Sequence, residues 1–222
     1  MTDQVSLEQA ARLVQAFGLG SELTARIGAL ERSVQNRTAR EIAALLPEEE
    51  LRDELVGAAR VVKAMAAQIN TLIHCAGILV SVPHILDPDE IVEYVSLGAG
   101  NTGREFDLET DRRVAEFKMI DWRGGSESIR QNNLFADVFG LATADTDKRR
   151  VLYLLGTEHA LRFLNGGRAI TSVLSRLPKV SRRFTALYGD DRFATVRDYW
   201  RTVEHTVELA DLRQLVPAFA EA

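Results

Sequence analysis

The segment Phe106-Asp107-Leu108-Glu109-Thr110-Asp111-Arg112-Arg113-Val114-Ala115-Glu116-Phe117-Lys118 constrains the fold of this chain more than any other stretch. Successive side chains on a strand point to opposite faces. Phe106 and Leu108 therefore share one face of a first arm, and Glu105, Asp107 and Glu109 share the other. On a second arm Ala115, Phe117 and Met119 alternate with Val114, Glu116 and Lys118. A tight turn at Asp111-Arg112 sets Asp107 opposite Glu116 and Leu108 opposite Ala115. The apolar sets then coincide on one face and the charged sets on the other. A slip of one residue destroys that agreement, so the register of the hairpin is well specified.

Glu105, Asp107, Glu109 and Glu116 crowd the polar face, and like charges opposite one another weaken a ladder. A cation relieves the repulsion, and hard oxygen ligands suit Mg²⁺ or Mn²⁺. Lys118 lies two residues beyond Glu116 on the same face. Together these are the groups that metal-assisted phosphodiester hydrolysis requires. The competing reading of the same residues is a solvated hairpin face with Lys118 balancing the acids.

The hairpin sits between two differently textured regions. Residues 1–85 read as mostly helical, and residues 86–222 as an α/β core with C-terminal helices. Ser6-Leu7-Glu8-Gln9 resembles a capping box, opening a helix that ends near Gly18. Ser21 is placed to cap a second helix running towards Leu46. Pro47 and the three following glutamates suit a fresh start. An apolar stripe through Val61, Met65, Ile69, Leu72 and Ile73 carries that helix to about Val82, where Pro83 is expected to stop it. Its end is expected to pack on the core. Ile91 to Leu97 reads as a strand, Ser126 as the cap of a helix reaching Ala142, and Val151 to Leu155 as a strand buried on both faces. Helical patterns follow near residues 169–177 and 193–200, and a short strand near residues 206–209.

Helix, antiparallel hairpin with Asp then Glu-x-Lys, helix and strand resembles the core of the PD-(D/E)xK nuclease superfamily, the restriction-endonuclease-like fold. The resemblance spans roughly residues 50 to 165 and rests on Asp107, Glu116 and Lys118. Gln131-Asn132-Asn133-Leu134-Phe135 is similar to the Gln-x-x-x-Tyr element of RecB-like and lambda-exonuclease-like members, with Phe135 in place of tyrosine. The residue before Asp107 is Phe106 rather than proline. The resemblance implies a metal-dependent nuclease of bacterial defence or DNA repair, acting on DNA rather than RNA. Asp107 and Glu116, with the Phe117 carbonyl, would hold Mg²⁺ or Mn²⁺. Lys118 would act on the attacking water or the phosphate, and Gln131 would position phosphate or water. Many members carry a further acid on the first helix, for which Glu54 is the candidate here. The alternative is a catalytically inactive nuclease-fold module for binding or oligomerisation, with a homodimer formed through the helical region.

Gly98 to Gly103 matches G-x-G-x-x-G, but a hairpin follows it where a dinucleotide turn must open a helix. Arg176, Lys179, Arg182 and Arg183 form a basic cluster that, with Lys148, Arg149, Arg150, Arg162 and Arg168, suits a phosphate-binding surface. Trp122 is placed to stack on a base. His159 lacks a ligand partner at metal-binding spacing, and His74 and His84 read as packing or capping residues. The net charge of −5 argues against a nucleic-acid coat protein but not against an enzyme with a local basic groove. Cys75, the one cysteine, reads as a buried thiol. No signal peptide and no bilayer-spanning stretch are read, so a cytoplasmic location without membrane association is expected.

Overall fold

The computed structural model describes residues 6–46, 53–98, 105–122 and 127–220. The chain divides into two compact units, Met1–Asn70 and Thr71–Ala222. The first holds α1 (Leu7–Phe17), α2 (Gly20–Val34), α3 (Ala39–Leu45) and the beginning of α4 (Asp53–Ile85). Ser6 and Gln9 close the expected capping box on α1, and Gly18 ends the helix at φ 116°. The single helix expected through Leu46 is instead two. Asn36 turns the chain at φ 57°, a left-handed conformation that asparagine tolerates, and Thr38 with Glu41 builds a second capping box. The expected helix start at Pro47 lies outside the described residues, as do most of the Gly98–Gly103 string and the Ser126 cap.

The second unit is built on a five-stranded sheet in the order β1 (Val92–Val95), β2 (Leu108–Thr110), β3 (Arg113–Lys118), β4 (Arg149–Leu154), β5 (Val207–Asp211). The first three strands pair antiparallel, whereas β3–β4 and β4–β5 are parallel. Parallel neighbours need a crossover. The helix α5 (Ser128–Ala142) links β3 to β4. The run α6 (Glu158–Leu164), α7 (Ile170–Leu174), α8 (Pro178–Tyr188) and α9 (Val196–Val203) links β4 to β5, and α10 (Leu212–Leu215) follows. The protein is thus mixed α/β. Three of these helices, α6, α8 and α10, are not marked by the sequence pattern read above.

The sheet is covered on both faces. Val114, Leu152, Leu154 and Val207 pack with Phe135, Val138, Phe139, Phe184, Tyr199 and Trp200 in one core. Ala115, Phe117, Val151, Tyr153 and Ala210 pack with Ile78, Leu212 and Val216 in the other. Alternate residues of β4 serve opposite cores, which accounts for its uninterrupted apolar run. At Gly77 the helix α4 passes so close to β3 that an added Cβ would lie 2.9 Å from Met119 Sδ.

Pro83 does not end α4, which continues to Ile85. The Arg113 guanidinium stabilises this end by donating to the Ile85 carbonyl at 2.6 Å, and it also pairs with buried Glu90 and with the Tyr153 hydroxyl. Cys75 is unpaired and half-buried. Among the described residues one helix, Glu54–Ile85, is long and apolar enough to cross a membrane by length and composition alone. The expectation of no such stretch is therefore corrected. Its second half nevertheless belongs with the sheet: Ile78 and Ser81 are fully buried there.

Candidate active site

The β2–β3 register is the one the hairpin pattern requires, with Leu108 opposite Ala115. Glu116 and Lys118 share the α5 face of β3 with Val114, while Ala115 and Phe117 face the other core. Strict alternation breaks on the first arm, because Phe106 packs against the α5-side core and Leu108 against the α4-side core. Residue 107 precedes β2, so its side chain is free to turn along the sheet. Asp107 Oδ2 accepts the Phe117 N–H at 3.0 Å, and its Oδ1 lies 3.6 Å from His74 Nε2 on α4.

Two residues of this cluster are absent from the sequence reading of the site. Asp137 reaches in from α5, its Oδ2 3.0 Å from Lys118 Nζ in an ion pair that lacks hydrogen-bond alignment. The Lys118 ammonium also lies 3.9 Å from Glu116 Oε2. His74, read as a packing or capping residue, is the second addition. Asp137 had a legible signal, being the lone charge in the apolar run Leu134 to Leu141. His74 had none, because its partner is 33 residues further along the chain.

Enclosure sets the electrostatics. Burial pushes the Glu116 carboxyl up to about 9, and the Asp137 and Asp107 carboxylates add to the effect. Burial also raises Asp137, to about 6, against the pull of Lys118. Burial works to raise Asp107 as well, but hydrogen bonds from His74 and the Phe117 N–H outweigh it and leave this group below the ordinary carboxylate range. For Lys118 burial opposes the charge, yet Asp137 and Glu116 hold its pKa above the usual lysine value. The hydrogen bond to Asp107 raises His74 above its ordinary value. At neutral pH Asp107 is charged, Lys118 is cationic, and Glu116 keeps its proton.

Among the described residues no group of three or more His, Cys, Asp or Glu side chains has a metal-holding arrangement. The donor set itself suits a hard divalent cation: two carboxyls meet across the hairpin, one of them retaining a proton that a cation would displace. A cavity of about 260 Å³ opens beside them, lined by Glu105, Glu116, Asp137, Phe139, Lys179 and Arg183. Glu105 is paired with Arg183 at 2.9 Å, and Glu109 with Lys148 at 3.3 Å. The crowding on the hairpin is therefore relieved at both ends, and only Asp107 and Glu116 remain pressed together.

The other expected residues disperse. Gln131 lies in a different cavity of about 350 Å³ with Trp122, His159, Arg162 and Arg168, and its Oε1 accepts from Arg168 at 2.5 Å. Glu54 is exposed and belongs to the first unit. The basic cluster splits: Lys179 and Arg183 line the acid-cluster cavity, Arg176 lines another, and Arg182 is exposed. Lys148, Arg149 and Arg150 are engaged within the protein, with Glu93 and Glu109, with Glu208, and with the Ala144 and Thr146 carbonyls. They are corrected from the expected phosphate surface. Comparison with protein-family profiles, with curated proteins and with solved structures found no match.

Proposed function

We propose that the chain is a metal-dependent nuclease with a restriction-endonuclease-like core, hydrolysing phosphodiester bonds in DNA in the cytoplasm of a bacterium, in defence or repair. The observation that carries this reading is the convergence of Asp107, Glu116, Lys118 and Asp137 at one end of the β2–β3 hairpin beside a cavity to which Lys179 and Arg183 also contribute. The strand order and directions support it. A helix precedes three antiparallel strands, and a crossover helix then leads to a parallel fourth, with Asp107 immediately before the second strand and Glu116 on the third.

Asp107 and Glu116 are the residues that would hold the cation. Bound there, a divalent ion supplies a Lewis acid for the scissile phosphate and lowers the pKa of a coordinated water. Lys118, kept protonated by its acidic neighbours, serves as a fixed positive charge for the phosphate in the transition state rather than as a proton acceptor. Asp137 is a positioning residue that fixes the ammonium. Lys179, on the wall of the same cavity, is suited to a flanking backbone phosphate, whereas Arg183 beside it is paired with Glu105 and the Thr143 carbonyl. His74, on the preceding helix, hydrogen-bonds Asp107 and helps keep it ionised.

The test is cleavage of a panel of single- and double-stranded DNA and RNA with Mg²⁺ or Mn²⁺. Asp107→Ala and Lys118→Ala should each abolish divalent-dependent cleavage while the fold survives. If both variants cut as well as the parent, the site is misassigned. Binding without cleavage on every substrate would favour the inactive binding or oligomerisation module.

A further inference from the structure

A cavity of about 530 Å³ in the sheet-containing unit lies away from the acid cluster. It lies beside the first turn of α5, between that helix and the α7–α8 connection, and shares no lining residue with the acid-cluster cavity. On α5, Asn132 faces it and Asp137 faces the acids, about 140° apart around a helix of 3.6 residues per turn. A single phosphate would leave much of such a volume empty, whereas it falls within the range of small-ligand pockets.

Three chemical features meet there. First, Arg168 and Arg176 both line the cavity, and among the described residues neither has a carboxylate partner. The Arg168 guanidinium is held by Gln131, so it is set in place rather than free to swing. The first turn of α5 adds to this positive character. Its capping residue Glu127 makes no side-chain cap and instead gives its carboxylate to Arg130 at 2.9 Å. Among the described residues no side chain caps this turn, whose N–H groups suit an anion. Second, Asn132 is only 6% exposed, and its Oδ1 is buried with no hydrogen-bond partner. A buried amide oxygen without a donor carries a desolvation cost, which a turn of the Asn132 amide towards an N–H or O–H in the cavity would remove. Asn133 adds a second amide to the wall. Third, Ile129 and Leu177 are the apolar lining, giving a surface for the face of a flat ring.

Cations for a phosphate, amides for a polar ring edge and aliphatic side chains for a ring face define a nucleotide. We propose that this cavity is a nucleotide-binding site distinct from the acid cluster. The ligand is a nucleoside monophosphate group, present either as a free mononucleotide or as one unit of a bound strand. Arg168, Arg176 and the α5 N-terminus take the phosphate, and Asn132 and Asn133 take the base edge.

The two sources are separated by calorimetric titration of the full chain in EDTA, which keeps divalent cations out of the acid cluster. The probes are AMP, adenosine, inorganic phosphate and a short single-stranded oligonucleotide. The variants are Arg176→Ala and Ser172→Trp, both at exposed positions, the second filling the cavity mouth. Loss of one charge-assisted phosphate contact predicts weakening of about tenfold or more. If AMP binds more tightly than adenosine or phosphate, and both variants weaken it, the site takes free nucleotide. If instead the oligonucleotide is the ligand that both variants weaken, the site holds one unit of a strand. If neither ligand is weakened by the variants, or adenosine binds as well as AMP, the assignment is overturned. Because the cavities share no residues, loss of nucleotide binding is readable independently of cleavage.

Discussion

Replacing Glu116 by glutamine should make the sheet-containing unit much less sensitive to pH over a range where the parent loses stability. The unfolded carboxyl titrates near its ordinary value of 4.5, but in the folded chain burial and the neighbouring acids push it up to about 9. A group whose folded pKa is raised contributes stability that is present below the unfolded value and lost as pH rises through the folded one. Between pH 5 and 9 the folded state therefore holds one proton more than the unfolded state. The slope for one proton is about 1.4 kcal/mol per pH unit. From pH 6.5 to 8.5 this amounts to up to about 3 kcal/mol, reduced to the extent that Lys118 shares the charge. Asp137, raised only to about 6, contributes its own loss mainly below this window. His74 adds a smaller decline of the same sign, since its pKa is also raised. For a unit of about 150 residues each kcal/mol corresponds to about 2–4 °C. The parent's melting temperature should thus fall by roughly 5–10 °C between pH 6.5 and 8.5 in EDTA. Glu116→Gln, uncharged throughout, should lose most of that slope and be the more stable protein at pH 8.5. The assay is thermal or urea unfolding followed by circular dichroism. A parent with flat stability across the window, or a glutamine variant with the parent's slope, would refute the buried proton on Glu116.

Mn²⁺ should raise the melting temperature of the parent and leave Asp107→Ala unshifted, as read by scanning fluorimetry with and without EDTA. Arg113→Ala leaves buried Glu90 without its partner and frees the Ile85 carbonyl. It should cost about 3–5 kcal/mol in urea unfolding, and the double variant Arg113→Met, Glu90→Leu should recover most of the loss. Phe135→Ala removes a fully buried ring packed on Phe184 and Tyr199, and should cost about 3–5 kcal/mol by the same measurement.

The acid hairpin was legible because a strand's period is two, and only one register puts Leu108, Ala115 and Phe117 in a core together. The four-residue apolar stretch of β4 and the caps at Ser6 and Gly18 were legible for equally local reasons. Pro83 misled because a proline's effect depends on where its missing N–H falls. In the last turn of α4, with Arg113 donating to the Ile85 carbonyl, the helix tolerates it. The basic residues misled because composition does not say which carboxylate or carbonyl a guanidinium will find. Lys148 and Arg149 are neutralised across the sheet by Glu109 and Glu208. Gln131 fell on a turn of α5 that faces Arg168 instead of the acids, which helix phase and neighbouring elements decide jointly.

The sequence by itself determined the hairpin, its register, and the meeting of Asp107 with Glu116, because alternation and turn position act over a dozen neighbouring residues. Only the tertiary structure decided that α4 and α5 close over that hairpin. Their packing brings His74 and Asp137 to it, encloses the carboxyls, and keeps a proton on Glu116. Burial and charge coupling act through space between segments far apart in the chain, and no local pattern encodes them.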